Sequence, residues 1–472
     1  MDMEKDIVII GGGPGGYTAA IRAAQLGAKV LLVEAESLGG TCLNKGCIPT
    51  KALYQNARLI HELERAAEFG IRPDGFTIDV AEMMQRKQKI VDRLKEGIAQ
   101  LIRLNSIELL YGKACLLSRN TVRVTGPEGG AIEIKANNII IAAGSVPAKP
   151  PIPGMDLPGV ITSDEILSID RIPDTLAILG GGVIGIELAG IFSALGSKVT
   201  VLEFLPRILA NMDGEISKKL ALSLKKKGIG IETDAKVTRI SADAGSLSLL
   251  TEGKNGESVF SADAVLVSTG RVPRTEGLGL EAAGIAYDRK GVKVDETYQT
   301  NVPGIYAVGD VIGGLMLAHA AAEEGIAAVD HIMGHRGHGS GDAVPACVFT
   351  FPEIAAVGLS EEEAKEKGID YCSSKFLFGA NGKALTVGEE EGFVKVLAET
   401  RTKRIIGVHI MGPHASDLIH EAVLAVEKKM TADELAGVVH AHPTLSEAFM
   451  EAVLGIDNKA IHMMPKKPER RV

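Results

Sequence analysis

A strand, a glycine-rich turn and a helix follow one another twice in this chain, and this repeated pattern constrains the fold more than any other feature. The apolar runs 6–10 and 175–179 each lead into a turn with the spacing Gly-x-Gly-x-x-Gly. Such a turn lets the backbone approach a pyrophosphate at a helix N-terminus. The pattern predicts an α/β fold with two Rossmann-like dinucleotide-binding domains, although glycine turns also join strands to helices without any ligand. The glycines of the two motifs are Gly11, Gly13 and Gly16, and Gly180, Gly182 and Gly185.

Each of these units has a carboxylate at the end of its second predicted strand. Glu34 and Glu203 both stand 23 residues after the first glycine of their turn. An acid there binds ribose hydroxyls and repels a 2′-phosphate, and Arg207 is the one arginine close behind Glu203, so the second unit favours NAD over NADP. Two nicotinamides have little reason to share a chain, whereas a flavin and a nicotinamide can exchange a hydride. We therefore expect the cofactors FAD and NAD.

Composition excludes several classes of protein. The net charge of −9 is opposite in sign to that of a general nucleic-acid binder. No apolar run approaches the roughly 18 residues that a membrane helix needs. Five cysteines in 472 residues argue against a disulfide framework. Since the N-terminal residues resemble neither a signal nor a transit peptide, we expect a cytoplasmic protein without nucleic-acid or membrane partners.

Two cysteines five positions apart, Cys42 and Cys47, come after the first ribose-binding acid. In a regular helix they would lie about 8 Å apart, beyond the ~4.4–6.8 Å between Cα atoms that a disulfide requires. Gly46 would let the backbone distort, and a strained bond at a helix start would be easily reduced. The alternatives are two buried free thiols or half of a metal site. The other cysteines are too scattered for zinc spacing, and we expect no metal.

A histidine near the C-terminus is the candidate base. Thiol–disulfide exchange needs a group that takes a proton from a dithiol, and His442 has a suitable side chain, with Glu447 to orient it. The alternative is structural, because Thr444 and Glu447 have the spacing of a helix capping box. Sequence alone also does not bring His442 close to cysteines about 400 positions away.

The remaining segments give weaker signals. Residues 301–310 are predicted as a strand that ends at Asp310, which either contacts a long flavin nucleotide or caps the next helix. Residues 331–341 are interpreted as a linker whose histidines, His331, His335 and His338, are solvated rather than metal-bound. Residues 346–472 are predicted to be α+β, with paired strands at 393–398 and 405–410. A helical zone is expected over 49–104, with one apolar face formed by Ile90, Val91, Leu94, Ile98 and Leu101.

Together these motifs resemble the pyridine nucleotide–disulfide oxidoreductases over essentially the whole chain. The stretch 39–51, GGTCLNKGCIPTK, is the most specific part of the likeness, and the ending 440–447, HAHPTLSE, is similar to that of the branch acting on lipoamide. The resemblance implies four regions. These are an FAD-binding domain (1–146), an NAD-binding domain (147–272), a central segment that completes the FAD site (273–343) and an interface domain (344–472).

The resemblance also implies roles for individual residues. Cys42 exchanges with the substrate dithiol, Cys47 faces the flavin as a thiolate, and Lys51 lies near the flavin and pairs with Glu187. From the sequence alone, a solvated position on its helix is an alternative for Lys51, and Glu187 is assigned to the first turn of its helix, where the dipole favours it. Lys45 falls inside the cysteine loop, where it would lower a thiolate pKa. Further cofactor contacts are expected at Gly144, Gly270, Asp310 and Ala318.

The implied reaction is the oxidation of dihydrolipoamide by NAD⁺, giving lipoamide, NADH and a proton. The implied partner is a second copy of the chain, a homodimer in which His442 and Glu447 reach the disulfide of the other subunit. Further expected partners are lipoyl domains of 2-oxoacid dehydrogenase complexes or a glycine-cleavage carrier protein. Two alternatives stay open: an NAD(P)H-dependent reductase of another small disulfide, and a subunit that mainly docks in a 2-oxoacid dehydrogenase complex.

Overall fold

The structure is a computed structural model that describes residues 4–243, 245–254, 256–335 and 343–464. Its first unit contains a strand that is buried on both faces, because its consecutive residues Ile7, Val8, Ile9 and Ile10 are all apolar. The strands of this unit are β1 (Glu4–Ile10), β2 (Val30–Glu34), β3 (Glu108–Tyr111), β4 (Lys113–Ser118), β5 (Thr121–Thr125), β6 (Ala131–Ile141) and β7 (Ser145–Pro147). Its helices are α1 (Pro14–Gln25), α2 (Gly40–Lys45), α3 (Cys47–Arg65) and α4 (Val80–Leu104). The sheet order β3-β2-β1-β6-β5-β4 places β1 beside β2 and β6, with both pairings parallel.

The second unit repeats the strand–turn–helix–strand pattern. Its strands are β8 (Val160–Thr162), β9 (Thr175–Leu179), β10 (Lys198–Leu202), β11 (Gly230–Glu232), β12 (Lys236–Asp243), β13 (Ser246–Gly253), β14 (Gly256–Ala262), β15 (Ala264–Val267) and β16 (Arg271–Pro273), and its helices are α5 (Val183–Ala194) and α6 (Gly214–Lys226). A parallel sheet has the order β11-β10-β9-β15-β8, and β12, β13 and β14 form an antiparallel sheet.

The chain enters and leaves the second unit through one short ribbon. β7 precedes the unit, β16 is its last strand, and the two strands pair antiparallel, with Pro147 opposite Arg271. The chain then returns to the first unit through β17 (Tyr287–Asp288), β18 (Gly291–Val292), β19 (Ile305–Ala307) and α7 (Ala318–Ile332). β19 joins the first sheet by pairing with β6, so that this segment completes the first unit.

The last part of the chain is an antiparallel sheet covered by helices. Its strands are β20 (Ala346–Val348), β21 (Glu353–Gly358), β22 (Tyr371–Leu377), β23 (Phe393–Glu399) and β24 (Ile405–Gly412), in the order β20-β21-β24-β23-β22. Its helices are α8 (Glu361–Glu366), α9 (Gly382–Thr386), α10 (Ala415–Glu427), α11 (Ala432–Ala436) and α12 (Glu447–Leu454). The predicted pairing of 393–398 with 405–410 is therefore present, and the predicted fold class of two dinucleotide-binding folds plus an α+β part is confirmed.

The structure corrects three predictions about segments outside the motifs. The helical zone is interrupted between α3 and α4, where residues 70–79 have no regular structure. The predicted apolar face of α4 is only partly present: Val91 is buried and Ile98 packs against the core, but Leu94 and Leu101 are exposed, and the helix also buries Met83, Lys87 and Ile102. The strand predicted over 301–310 is confined to β19.

The predicted linker begins later than expected. His331 belongs to the last turn of α7, and its ring contacts the Tyr306 ring, with the centroids 5.9 Å apart. His335 comes after that helix, and His338 lies outside the described residues. Within the described ranges, no cluster of three or more His, Cys, Asp or Glu side chains has the arrangement of a metal site. No helix in the same ranges is both long enough and apolar enough to cross a membrane.

Candidate active site

A large cavity of about 1890 Å³ connects the two glycine turns and brings together most of the predicted site residues. They come from both units, from positions next to the ribbon and from the segment that returns to the first sheet. Those lining the cavity are Gly11, Gly13, Glu34, Cys42, Cys47, Lys51, Gly144, Gly180, Gly182, Glu187, Glu203, Gly270, Asp310 and Ala318. The other predicted residues, Gly16, Gly185, His442 and Glu447, do not line it.

The glycines of both turns are needed for close approach. Gly11 and Gly180 each have a φ of 106°, a backbone angle that residues with a side chain rarely adopt. A Cβ at Gly16 would lie 1.8 Å from the Gly11 carbonyl oxygen, and one at Gly185 would lie 2.1 Å from that of Gly180. The third glycine of each motif therefore packs helix on strand and does not face the cavity. At Gly182, by contrast, a Cβ would meet no atom within 4 Å, which leaves space for a ligand against the backbone.

The two ribose-binding candidates are held in the same way. The Gly12 amide donates to Glu34 Oε2 at 2.6 Å, and the Gly181 amide donates to Glu203 Oε2. Arg207 is turned away from this site, because its guanidinium donates to the Ala210 carbonyl and lies 3.5 Å from Glu362. The arrangement therefore does not place Arg207 where it would favour a 2′-phosphate.

Helix α2 ends at Lys45 and α3 begins at Cys47, so the backbone breaks at Gly46, with φ −149° and ψ −110°. This break brings the two thiols, which are free in the structure, into hydrogen-bond contact. The hydrogen bond from Cys42 and the charge of Lys51 lower the pKa of Cys47 to about 7, although burial opposes this shift. The same hydrogen bond, together with burial, raises the pKa of Cys42. Cys47 is therefore the better leaving group and the stable thiolate of the pair.

Lys51, rather than Lys45, is the cation beside the thiols. The charge of Lys51 lowers the pKa of Cys47, whereas the ammonium of Lys45 lies 2.9 Å from Glu36. Lys51 Nζ lies 2.9 and 3.0 Å from the two Glu187 carboxylate oxygens and 4.4 Å from the centre of the Phe349 ring. Lys51 is therefore paired rather than simply solvated, and the expectation for Lys45 was wrong.

Glu187 is fixed by tertiary contacts rather than by a helix terminus. The sequence predicted a position in the first turn of α5, but Glu187 is the fifth residue of that helix and lies outside the first turn. Its side chain is buried, and Oε1 also accepts a hydrogen bond from the Phe349 amide at 3.0 Å. A residue of the second unit thus orients a lysine of the first unit next to the thiols.

Asp310 lies in a short 3-10 turn (Gly309–Ile312) at the cavity wall. It caps neither this turn nor α7, so the capping alternative is wrong. Its Oδ2 accepts a hydrogen bond from the Ser145 hydroxyl, which in turn accepts one from Arg271 Nε at 2.7 Å. Ser145 and Arg271 were missed by sequence reasoning, because only the pairing of β7 with β16 brings them together.

His442 and Glu447 form a pair outside this cavity. His442 Nδ1 lies 2.9 Å from Glu447 Oε1, while the imidazole is 79% exposed. Only half of the predicted capping box exists: the Thr444 amide donates to Glu447, whereas the Thr444 hydroxyl donates to the Ala441 carbonyl. Against the effect of burial, the Thr444 amide and His442 hold the pKa of Glu447 below its usual range. Glu447 therefore remains charged at neutral pH, and its contact with Nδ1 fixes the orientation of the His442 ring.

A neighbouring histidine shows the opposite arrangement. His440 Nε2 lies 2.8 Å from Glu421 Oε1, and Nδ1 lies 3.1 Å from the Val438 carbonyl oxygen. Its side chain is nearly buried. Because both ring nitrogens have partners, His440 has no free position for a substrate proton, in contrast to His442.

Comparisons with known proteins agree with this geometry. A family described as pyridine nucleotide-disulphide oxidoreductase matches residues 5–325, and the dimerisation domain of that family matches residues 344–453. Dihydrolipoyl dehydrogenase of Bacillus subtilis is 45% identical, over 98% of this chain and 100% of its own. Mitochondrial dihydrolipoyl dehydrogenase 1 of Arabidopsis thaliana is 43% identical, over 98% and 92%. Among solved structures, LpdA of Mycobacterium tuberculosis has 28% identity over 96% of this chain and 99% of its own, with a TM-score of 0.89.

Proposed function

Since the chain belongs to the pyridine nucleotide–disulphide oxidoreductase family, we propose that it is a dihydrolipoyl dehydrogenase that transfers electrons from a dihydrolipoyl group to NAD⁺. The observation that carries this proposal is the thiol pair Cys42–Cys47, which lies beside Lys51 and Glu187 in a cavity reaching both glycine turns. Relatives at 43–45% identity over nearly the whole chain carry the same activity in their names.

The family uses FAD and NAD(H), and the residues present fit both. The first turn, with Gly11, Gly13 and Glu34, and the side chain of Asp310 would hold FAD. The second turn, with Gly180, Gly182 and Glu203, would hold NAD. The open space at Gly182 and the two carboxylates turned toward the glycine loops support this assignment. When bound, FAD supplies a two-electron carrier that accepts electrons from a thiolate and passes a hydride to a nicotinamide.

The chain's own residues account for the thiol chemistry. In the oxidised enzyme, with a Cys42–Cys47 disulfide, a substrate thiolate attacks Cys42 Sγ and Cys47 leaves as a thiolate. The second substrate sulfur then displaces Cys42, so that the substrate becomes a cyclic disulfide and both cysteines are reduced. Lys51 stabilises the Cys47 thiolate, and Glu187 positions Lys51. His442 accepts the substrate proton, and Glu447 stabilises the resulting imidazolium.

The position of His442 outside the cavity supports a homodimer in which this residue serves the thiols of the other subunit. The chain contains the dimerisation domain of the family. Lipoyl domains of 2-oxoacid dehydrogenase complexes, or a glycine-cleavage carrier protein, are the proposed sources of the substrate, and the cytoplasm is the proposed location. The division at residues 146, 272 and 343 into FAD-binding, NAD-binding, central and interface regions is likewise proposed.

The proposal is tested by following NADH formation from dihydrolipoamide and NAD⁺ at neutral pH, with reduced glutathione and NADP⁺ as parallel substrates. We expect turnover only with the first pair. The variant C42S should retain flavin and lose this turnover, and full activity in C42S would refute the thiol chemistry. Turnover with glutathione but not with dihydrolipoamide would assign the enzyme to another disulfide.

The base is tested with two neighbouring histidines. H442Q should lower kcat by about 10²–10⁴-fold, the range for loss of a general base. H440Q is the matched control, because both of its ring nitrogens are already bound, and it should lower kcat by less than about tenfold. Equal losses in the two variants would show that His442 has a structural role.

A further inference from the structure

A buried lysine lies between the second unit and the C-terminal sheet. Lys375, Lys395 and His409 stand directly opposite one another on β22, β23 and β24, so their side chains share one face of the sheet. The side chain of Lys395 is only 4% exposed. A buried ammonium is costly unless it is paired, so its partner identifies what Lys395 does.

The nearest partner is Asp213, at the start of α6 in the second unit, whereas Glu215 and Glu361 lie farther from Nζ, at 3.5 and 3.9 Å. Lys395 Nζ lies 2.7 Å from Asp213 Oδ1, and the Asp213 side chain is 1% exposed. The same oxygen accepts hydrogen bonds from the amides of Glu215 and Ile216, and so caps α6. One carboxylate oxygen therefore ties the second unit to the C-terminal sheet.

His409 does not replace Lys395 as the counter-charge. Its Nε2 lies 2.9 Å from the Leu359 carbonyl oxygen, which is an acceptor, so Nε2 carries the hydrogen. Burial lowers the pKa of His409, and the charge of Lys395 acts in the same direction, so the ring is neutral at pH 7. Among the described protein atoms, neither His409 Nδ1 nor Asp213 Oδ2 has a hydrogen-bond partner. Removal of Lys395 thus leaves Asp213 buried with no ammonium of its own.

Asp213 also ends the segment that begins at Glu203. The Glu203 carboxylate accepts the Gly181 amide, and the Leu209 amide donates to the Gly181 carbonyl at 2.8 Å, so this segment packs on the second glycine turn. Several of its residues, among them Phe204, Met212 and Asp213, line the cavity. The anchor at Asp213 therefore holds one wall of the site that surrounds the second glycine turn.

From these contacts we propose that Lys395 is a positioning residue for NAD(H) binding, and that it acts through Asp213 on the segment 203–213. This inference rests on the proposed function in one respect, the assignment of NAD(H) to the second glycine turn. It adds a residue of the C-terminal sheet, remote in sequence, that determines coenzyme affinity but takes no part in the thiol chemistry.

The test compares K395M with K375M in the FAD-loaded enzyme. Lys375 is on the same face of the sheet and pairs with Glu215 at the partly exposed rim, so K375M is a matched control. K395M should raise the KM for NAD⁺ by about tenfold and change kcat by less than about twofold, within the range of coupling between distant sites. K375M should change both by less than about twofold. Reduction of the flavin by dihydrolipoamide, without NAD⁺, should be equal in all three proteins.

A second measurement separates positioning from stability. In the double variant K395M/D213N, an asparagine still caps α6 and no unpaired charge is buried, so the melting temperature should return toward that of the wild type. The KM for NAD⁺ should nevertheless stay at least about threefold raised, because the anchor is absent. This variant also provides the test if K395M does not fold. A wild-type KM in K395M or in the double variant would overturn the proposal.

The outcome is also independent of the substrate assignment. The KM for NADH is measured with an artificial electron acceptor, which does not require a dithiol. If the wild type reduces that acceptor but does not oxidise dihydrolipoamide, the proposed substrate is wrong, and the effect of K395M on NADH still decides the role of Lys395.

Discussion

The two dinucleotide units share the backbone of the glycine turn and differ in the segment that comes after their second strand. The second glycines, Gly13 and Gly182, have identical dihedral angles, with φ −73° and ψ −176°, and the first glycines share a φ of 106°. In both units an acid binds the amide of the residue after the first glycine. The glycine turn and its acid therefore have the same geometry in both units, and the different chemistry of the two units arises from other residues.

The difference lies in the segment after each acid. In both units this segment donates one amide to the equivalent carbonyl of the turn: Gly39 to Gly12, and Leu209 to Gly181. After Gly39 the chain turns inward and forms α2 and α3, which carry the two thiols. After Leu209 it continues to Asp213, whose carboxylate binds Lys395 of the C-terminal sheet. The first unit thus brings reactive groups to its cofactor, whereas the second unit is anchored from outside.

Among the changes that distinguish the two units, the largest expected effect comes from the third glycine of each turn. A Cβ at Gly16 or Gly185 would collide with a backbone carbonyl, and overpacking of about 1–3 kcal/mol corresponds to roughly 5–150-fold in binding or folding. We expect G16A to lose flavin, and G185A to keep flavin while it loses NAD⁺-dependent turnover. Flavin absorbance per protein and flavin reduction by dihydrolipoamide measure the two effects. Equal loss of flavin in G185A would mean that the units do not act separately.

A smaller effect is expected at Lys51, where the two units meet. K51M should raise the pKa of Cys47 from about 7 toward the ordinary value for cysteine, about 8.5. Cys47 is a thiolate above its pKa and becomes protonated as the pH falls through it, so the variant should lose thiolate between about pH 7 and 8.5, where the wild type keeps it. The rate of Cys47 alkylation in the reduced enzyme, followed by mass spectrometry against pH, gives the midpoint. K45M is the control, because Lys45 binds Glu36, and a shift in that variant would contradict the assignment to Lys51.

The smallest expected effect distinguishes the two acids. E203Q removes the charge that repels a 2′-phosphate, and should reduce the preference for NAD⁺ over NADP⁺ by about tenfold. A tenfold change is about 1.4 kcal/mol, between the roughly 1 kcal/mol in water and the roughly 4 kcal/mol near a protein surface for two charges about 4 Å apart. E34Q should leave this preference unchanged and instead weaken flavin binding. The ratio of kcat/KM for the two coenzymes measures the first effect, and flavin retention during dialysis measures the second. A changed coenzyme preference in E34Q would reverse the assignment of the units.

The sequence predicted those features that depend on local chemistry. Each glycine turn was located because strand, glycine spacing and helix occur within about 20 residues, and the backbone there has few alternatives. The thiol pair was located because Cys42 and Cys47 stand five positions apart with Gly46 between them, and the structure breaks the helix at that glycine.

The predictions that failed depended on contacts between distant segments. The face of α4 was assigned from apolar residues alone, but Lys87 is buried because its ammonium donates to the Leu167 carbonyl at 2.8 Å. The effect on the thiols was assigned to Lys45 by its position in the loop, whereas Glu36 draws that ammonium away. Asp213 and Lys395, which are 182 positions apart, carry no local motif, and only the packing of α6 on the sheet brings them together.

The short ribbon of β7 and β16 makes residues 148–270 an insertion in the first unit. Pro147 and Arg271 are paired, and the Ala148 amide donates to the Gly270 carbonyl at 2.9 Å, so the two ends of the insertion lie about 5 Å apart. Replacing residues 148–270 would exchange most of the second unit and leave the connectivity of the first unit, which carries the two thiols, intact. The ion pairs that a replacement for residues 148–270 would have to reproduce include the carboxylate for Lys51 and the carboxylate for Lys395.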